Sequence, residues 1–451
     1  MDAITATAQD VKMLNRRHLL GALGGLPMVD ARALELGREL EATEGDPEEV
    51  ARDEGYWRLV QQAFPVDRSM INLNNGGVCP SPKVVQESLA RQTAFANEAP
   101  SYKMWRLLEP QRESVRVGLA NLFGVGAEEV AITRNASEGL QIMQFGFDLE
   151  AGDQVLCTDQ DYPRMVTTFQ QREAREGIEL VQFPIPTPLE DPDEVVRRYA
   201  ERITDRTKLI LVSQVINRTG TILPVREVVA LGRRHGIPVI VDGAHGFAHC
   251  TSTRDDLDCD YYATSLHKWL FSAIGAGMLF VRRERIADVW PLMAATEGQR
   301  EDIRKFEEVG THPCPVFLSI GPAITFHRQM GAERKWARMI LLRDRWARRL
   351  ASHDRIRFST SLAKGRAGGM ATVGIEGISS EALRRHLWSA HNIYTTSILH
   401  RGTDDLGRPL GEEAPYQIDG VRISPAPYST LDEIDRFAEV MEDVLAKGLP
   451  S

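Results

Sequence analysis

Pro238-Val239-Ile240-Val241-Asp242-Gly243-Ala244-His245 and, sixteen residues on, Tyr261-Tyr262-Ala263-Thr264-Ser265-Leu266-His267-Lys268-Trp269 decide how this chain folds. In each stretch a short run rich in β-branched or aromatic residues stops abruptly at polar ones. Runs of this length, bounded by turn residues, read as strands covered on both faces. Residues 130–133, 154–158, 209–213 and 276–282 read the same way, which gives six predicted strands with 238–242 and 261–265. Amphipathic stretches over 110–123, 137–147, 163–176, 192–203 and 225–235 predict helices between many of them. Strands alternating with helices imply an α/β fold, a mostly parallel sheet with helices on both faces. Later the rhythm changes. A long helical region over 316–352 is followed by short strands at 370–376 and 421–425 and helices at 379–390 and 431–446. The expected organisation is a large domain over 71–330, a smaller α+β C-terminal domain over 331–451, and a helix-and-linker segment over 35–70.

In open α/β sheets ligands bind beyond the carboxyl ends of the strands, so the residues there are the test of function. Strand 130–133 runs into Arg134-Asn135-Ala136-Ser137-Glu138-Gly139, where Asn135 and Glu138 have the spacing of a capping box that opens a helix. A helix N-terminus with free N–H groups and a hydroxyl is an anion site. Strand 154–158 leads to Asp161-Tyr162-Pro163, and strand 209–213 to Gln214, Asn217 and Gly220. The two opening stretches end in Asp242 with His245, and in Ser265, His267 and Lys268. Singly these are ordinary cap and turn residues; five such sets at successive strand ends are not.

Composition narrows the field. The chain has 451 residues, 54 Lys+Arg against 63 Asp+Glu, and a net charge of −9. A nucleic-acid-binding protein usually carries a basic surplus, so no nucleic-acid partner is expected. No apolar run approaches the roughly 20 residues of a membrane-spanning helix, so no stable membrane insertion is expected. The five cysteines show neither CxxC nor zinc-ligand spacing, and no metal site is expected. No GxGxxG follows the first strand, which argues against a dinucleotide-binding dehydrogenase. Only nine of the 54 basic residues are lysine, so Lys268 in its motif stands out.

Pyridoxal phosphate requires a lysine for its imine, a carboxylate for its ring nitrogen and an anion site for its phosphate. The order and spacing of the motifs resemble the class V aminotransferase family of fold-type I enzymes, in its isopenicillin N epimerase-like branch. The resemblance spans about 71–440. It rests on Asn72-Leu-Asn-Asn-Gly-Gly77, Asn135 to Gly139, Asp161-Tyr162-Pro163, Asn217 to Pro224, Val241 to His245, Ser265 to Trp269, Gly310-Thr311 and Val421-Arg-Ile-Ser424. It implies that Lys268 forms the imine and then moves a proton at Cα, while Asp242 pairs with the ring nitrogen. Tyr162 is expected to stack on the ring and take part in proton transfer. Asn217 and His245 are expected to hold the ring hydroxyl oxygen. Ala136 and Ser137, with Ser265 and His267, are expected to bind the phosphate. Gly310 and Thr311 are expected to complete that phosphate site in the neighbouring subunit of a homodimer. Arg422 is expected to bind the substrate carboxylate, with Asn75 nearby.

The resemblance thus implies an enzyme working at Cα of an amino acid or amino-acid-derived metabolite, by transaminase- or epimerase-type chemistry. The alternative is a lyase or side-chain-modifying enzyme. A non-catalytic cofactor-binding module would not need Lys268, Asp242 and Arg422 together. Related desulfurases carry persulfide on a mobile-loop cysteine, but residues 399–420 contain none, which argues against that activity. Gln214 stands where many relatives have His. At the N-terminus, Arg16-Arg17 precedes a short, Gly-rich, weakly apolar stretch and Ala31-Arg32-Ala33. The pattern over 1–34 resembles a twin-arginine export signal and implies a periplasmic or exported protein, with a cytoplasmic one the alternative. Export makes a peptide or siderophore-like substrate the natural candidate beside a small amino acid.

Overall fold

The computed structural model describes residues 31–405 and 407–450. Arg16-Arg17 and the rest of the expected export signal up to residue 30 lie outside the described residues. A seven-stranded sheet forms the large domain. Its strands are β1 Val130–Thr133, β2 Gln154–Thr158, β3 Glu179–Phe183, β4 Thr207–Ser213, β5 Val239–Asp242, β6 Tyr261–Ser265 and β7 Gly277–Val281. The spatial order is β1-β7-β6-β5-β4-β2-β3, and only β7 runs against its neighbours. The period of two explains why the central strands read as unbroken apolar runs. Val239 and Val241 enter the core on one face while Ile240 enters the core on the other; Ile210 and Val212 part in the same way from Leu209 and Leu211. Each such side chain contributes about 1.5–3 kcal/mol by leaving water.

The six predicted strands are present, and β3 is added at the sheet edge. Its first four residues are half-buried and only Phe183 is fully covered, which is why Glu179-Leu-Val-Gln-Phe183 lacks the apolar signature of the inner strands. The predicted helical region 316–352 is three helices, Cys314–Leu318, Ile320–Met330 and Ala332–Leu350. Its last break falls at Gly331, whose φ of +82° is open to glycine at little cost.

The smaller domain is an antiparallel sheet of β8 Ile356–Phe358, β9 Ala371–Ile375, β10 Thr396–His400 and β11 Ile418–Ile423, in the order β10-β11-β9-β8. Helices Ala332–Leu350, Ser380–His391 and Leu431–Lys447 supply its core. One boundary departs from expectation. Ile71–Asn72, read as the start of the large domain, pairs in parallel with Ile393–Tyr394, and Leu73 is buried in the smaller domain's core. Residues 71–73 therefore belong with the smaller domain, and the chain crosses to the larger one through Asn74 to Val78. Before it, helices Ala31–Ala42 and Glu54–Gln62 fill the segment expected as helix and linker; Trp57 packs with Phe326, Met330 and Met339.

Candidate active site

The sheet register assembles the site. Ser213 and Asp242, the last residues of β4 and β5, are direct partners, and Asp242 lies beside Ala263 of β6. Ser265 at the end of β6 faces Gly277 of β7. A Cβ on Gly277 would come within 2.6 Å of the Asn135 backbone, so only glycine lets β7 pass under the turn that starts helix Ala136–Gly146. Beyond these strand ends lies a cavity of about 380 Å³, lined by Tyr162, Asn217, Asp242, His245, Lys268 and Arg422 among others.

At the phosphate end, Asn135 caps the helix by accepting from the Glu138 N–H at 2.9 Å. The Glu138 carboxylate reaches the Arg134 N–H at 2.6 Å, one residue short of the expected capping-box partner. The Ala136 N–H donates to Ser265 Oγ at 2.9 Å, tying helix to strand. Ser137, Ser265 and His267 line the cavity with Ala136. His267 donates from Nδ1 to the Ala276 carbonyl at 3.2 Å, which turns Nε2 into the remaining functional nitrogen. Burial and the nearby Lys268 cation lower its pKa.

Lys268 sits on the turn after β6. Its Nζ is 2.9 Å from His245 Nε2. His245 Nδ1 accepts from the Trp269 indole N–H at 3.4 Å. Indole only donates, so the His245 proton resides on Nε2 and faces the lysine amine as a donor. Burial, reinforced by Lys268 and Arg422, pushes the His245 pKa well below its usual value. Burial lowers Lys268 to about 8, with Arg422 adding to the effect and Asp242 opposing it. Burial thus brings the amine far closer to neutrality than an exposed lysine, beside an imidazole that is itself neutral. Behind it the turn is braced: Lys335 Nζ donates to the Trp269 carbonyl at 2.6 Å, and the Trp269 and His249 rings pack 4.4 Å apart. Phe271 takes a φ of +61°, costly for a bulky residue, on the same turn.

Asp242 is buried; one carboxylate oxygen accepts from the Ala244 N–H at 2.9 Å, and burial raises its pKa. Neighbouring Asp161 accepts from Thr158 and Ser213 and is pushed up to about 6 by burial. Across the cleft, Arg422 of β11 donates from Nη1 to the Asn217 carbonyl at 2.6 Å and from Nη2 to Asn74 Oδ1 at 2.8 Å. Burial lowers its pKa to about 10. Tyr162, about a third exposed, lines the cavity just ahead of helix Pro163–Glu176.

Most of the expected site residues therefore converge, with two differences. Asn75 is not available to a substrate: its amide donates to the Asn72 and Ser424 carbonyls, and its oxygen accepts from Tyr428 at 2.6 Å. Asn74, one residue earlier, is the one that touches Arg422; the run Asn72-Leu-Asn-Asn75 announced an amide there without saying which. His245, expected on the ring hydroxyl, is engaged by Lys268 and Trp269. Gly310 and Thr311, expected at the neighbouring subunit's site, line no part of their own chain's cavity. The Trp269–His245 contact escaped sequence reasoning because nothing in spacing announces a bond between residues 24 apart on turns that follow different strands.

The donor set fits pyridoxal phosphate. The Asn217 side-chain oxygen is buried without a partner, and the Asp242 carboxylate has a single N–H donor and no cation within ion-pair distance among the described residues. A flat ring carrying a hydroxyl and a protonated nitrogen would complete both. The N-terminus of helix Ala136–Gly146, with Ser137 and the strand-end Ser265 in the same cavity, would hold its phosphate, and the cavity has the size of a small-cofactor site.

Fold and site together define a pyridoxal phosphate enzyme of fold type I. The chain belongs to the aminotransferase class-V family, whose model matches residues 72–437. It is similar to the isopenicillin N epimerase of Streptomyces clavuligerus, 28% identical over 405 residues, 86% of this chain and 98% of that protein. A cysteine desulfurase of Synechococcus elongatus is 25% identical over 420 residues, covering 86% of this chain and 64% of that protein. Among solved structures, the cystine C–S lyase C-DES in complex with cysteine persulfide superposes with a TM-score of 0.72 at 23% identity, over 86% of this chain and 100% of that one.

Proposed function

We propose that this protein breaks and remakes the Cα–H bond of an amino acid or amino-acid-derived substrate, with transamination or epimerisation as the outcome. The observation that carries the reading is that the Lys268 amine and the Arg422 guanidinium face one cavity, the amine beside a neutral imidazole and the guanidinium without a carboxylate. When bound, pyridoxal phosphate supplies an electron-poor ring that takes up the electron pair left at Cα. Asp242 holds the proton on the ring nitrogen; its burial makes that charge pairing strong. Arg422 grips the substrate carboxylate with its fork of donors and so fixes which bond at Cα stands over the ring. Lys268, once released by substrate, moves the proton at Cα, and the His245 Nε2–H orients its lone pair. Tyr162, which lines the same cavity, would stack on the ring. The likeness to isopenicillin N epimerase over nearly its whole length supports epimerisation.

Desulfurase chemistry is disfavoured on this reading. Cys79, Cys157, Cys259 and Cys314 are buried and Cys250 is partly so. Burial raises every one of these thiols, to about 12 in Cys250, Cys259 and Cys314. A persulfide carrier needs an accessible, low-pKa thiol, and residues 399–420 contain no cysteine. The same proposal places Gly310 and Thr311 in the partner's phosphate site of a homodimer, and the mature protein outside the cytoplasm.

The test is NMR of holoenzyme with L- and D-amino acids in D₂O. Exchange of the Cα proton is expected, lost in Lys268→Ala and strongly slowed in Asp242→Asn. Inversion at Cα marks an epimerase, and amino-group transfer to an added keto acid a transaminase. No exchange with any substrate, or exchange surviving in Lys268→Ala, refutes the proposal. Release of ammonia and a keto acid from substrates with a β-leaving group, without exchange in others, replaces it with a lyase.

A further inference from the structure

Ser213 and Asp161 stand behind the Asp242 end of the cavity, and the mechanism gives neither a task. Ser213 lines the cavity and is the register partner of Asp242 across β4 and β5. Its hydroxyl donates to Asp161 Oδ1 at 2.6 Å, the length of a charge-assisted O–H···O⁻ bond. A serine hydroxyl carries one proton, so this bond leaves Ser213 Oγ only its lone pairs for anything in the cavity. The other Asp161 oxygen accepts from the Thr158 N–H and the Thr158 hydroxyl, each at 2.8 Å. The residue is 1% exposed. Burial disfavours its charge, and Asp242 is close enough to repel it; the bonds from Ser213 and Thr158 hold the ionised form against both. Arg218, whose Nη1 lies 3.3 Å from the Asp161 carbonyl, is a further charge partner of this carboxylate. With a pKa of about 6, Asp161 is ionised at neutral pH. Two carboxylates thus stand behind one end of the cavity, one of them inside it and the other reaching it through a hydroxyl.

We propose that Asp161, acting through Ser213, is a positioning residue for the ring nitrogen of the cofactor: its charge adds to that of Asp242 and helps keep the nitrogen protonated, so that the electron sink rests on two carboxylates. The inference rests on the reading of the cavity as a pyridoxal phosphate site. A protonated ring nitrogen is a donor and suits both Asp242 and a Ser213 oxygen that has given its proton away. An unprotonated one is an acceptor and would meet only acceptors there. Both carboxylates are buried, so salt and water screen their field little.

Calorimetry on the full-length protein freed of cofactor tests this with a pair of probes: pyridoxine 5′-phosphate, which has no aldehyde and forms no imine, and its isostere with CH in place of the ring nitrogen. At neutral pH the wild type is expected to prefer the pyridine by about a hundredfold or more, the scale of a buried charge pairing. In Asp161→Asn, which keeps an acceptor for Ser213 and loses the charge, that preference should fall by about tenfold while affinity for the isostere stays within about threefold. In Asp161→Glu, which keeps the charge and disturbs the bonds to Thr158, the preference should stay within about threefold of the wild type. Ser213→Ala, expected to lose about threefold or more of the preference, decides the matter if neither Asp161 variant folds. An undiminished preference in the asparagine variant, or in Ser213→Ala where it decides, overturns the proposal. Equal losses for the two probes, or a glutamate variant that falls as far as the asparagine one, also overturn it and mark Asp161 as a brace of the 158–161 turn. A wild type that binds neither probe overturns the cofactor reading and this proposal with it; every other result leaves that reading in place.

Discussion

Replacing Arg422 by glutamine tests the site at its most informative point. The guanidinium is buried and spends Nη1 on the Asn217 carbonyl and Nη2 on Asn74 Oδ1, with Nε left without a partner. A substrate carboxylate gains at least one charge-assisted hydrogen bond from it, worth about 1.5–3 kcal/mol. At about 1.4 kcal/mol per tenfold, the KM for amino acids should rise by about ten- to 150-fold. The contact exists before and during the chemical step, so kcat should change far less. Amines that lack the carboxylate should show no such rise. The variant carries a second, independent signature. The Arg422 charge helps hold the Lys268 pKa near 8. The amine reacts with the pyridoxal phosphate aldehyde only when unprotonated, so covalent loading of wild-type apoprotein should rise with pH and reach half its plateau near pH 8. Removing the cation raises the lysine pKa and moves that midpoint to higher pH. Loading is followed by the cofactor's visible absorbance, and KM by initial rates on matched acid and amine pairs. Equal KM changes for acids and amines, together with an unmoved loading midpoint, would refute the assignment.

Two further outcomes are expected in other parts of the chain. Glu307 binds Arg112 at 2.7 Å and Arg116 at 2.6 and 2.9 Å and accepts from the Ile132 N–H, so Glu307→Gln leaves two buried guanidiniums short of charge. Breaking a buried pair on one side costs about 3–5 kcal/mol; denaturant unfolding should show a loss of about 3 kcal/mol, and one under about 1 kcal/mol would show that the cluster holds little. Changing Arg16 and Arg17 to lysine should retain the protein in the cytoplasm on cell fractionation, and an unchanged periplasmic yield would end the export reading.

The inner strands were legible because burial on both faces leaves no room for polar residues, and each run ends where the chemistry begins: Asp242 closes β5 and Ser265 closes β6. β3 and β10 were not, because edge strands mix polar and apolar positions. Lys268 and Asp242 could be named from motif and chemistry, since an amine and a carboxylate at adjacent strand ends have few other uses. The partners that tune them could not. That His245 serves Lys268, that Trp269 fixes its proton, and that Asn74 rather than Asn75 meets Arg422 all depend on how turns fold back, which no periodicity encodes.

The crossing segment 74–78 has a consequence for how such a site changes over time. Asn75 and Gly76 are bonded through backbone and side chain to Ser424, and Asn74 to Arg422, so these residues form one block although about 350 positions separate them. A Cβ at Gly76 would already stand 3.3 Å from the Arg422 guanidinium carbon. Substitutions in 74–78 are therefore coupled to those in 422–424, and their effects should fail to add. A library that diversifies either stretch alone will sample mostly dead combinations. One that varies the two together searches the substrate range along the directions in which this protein can move.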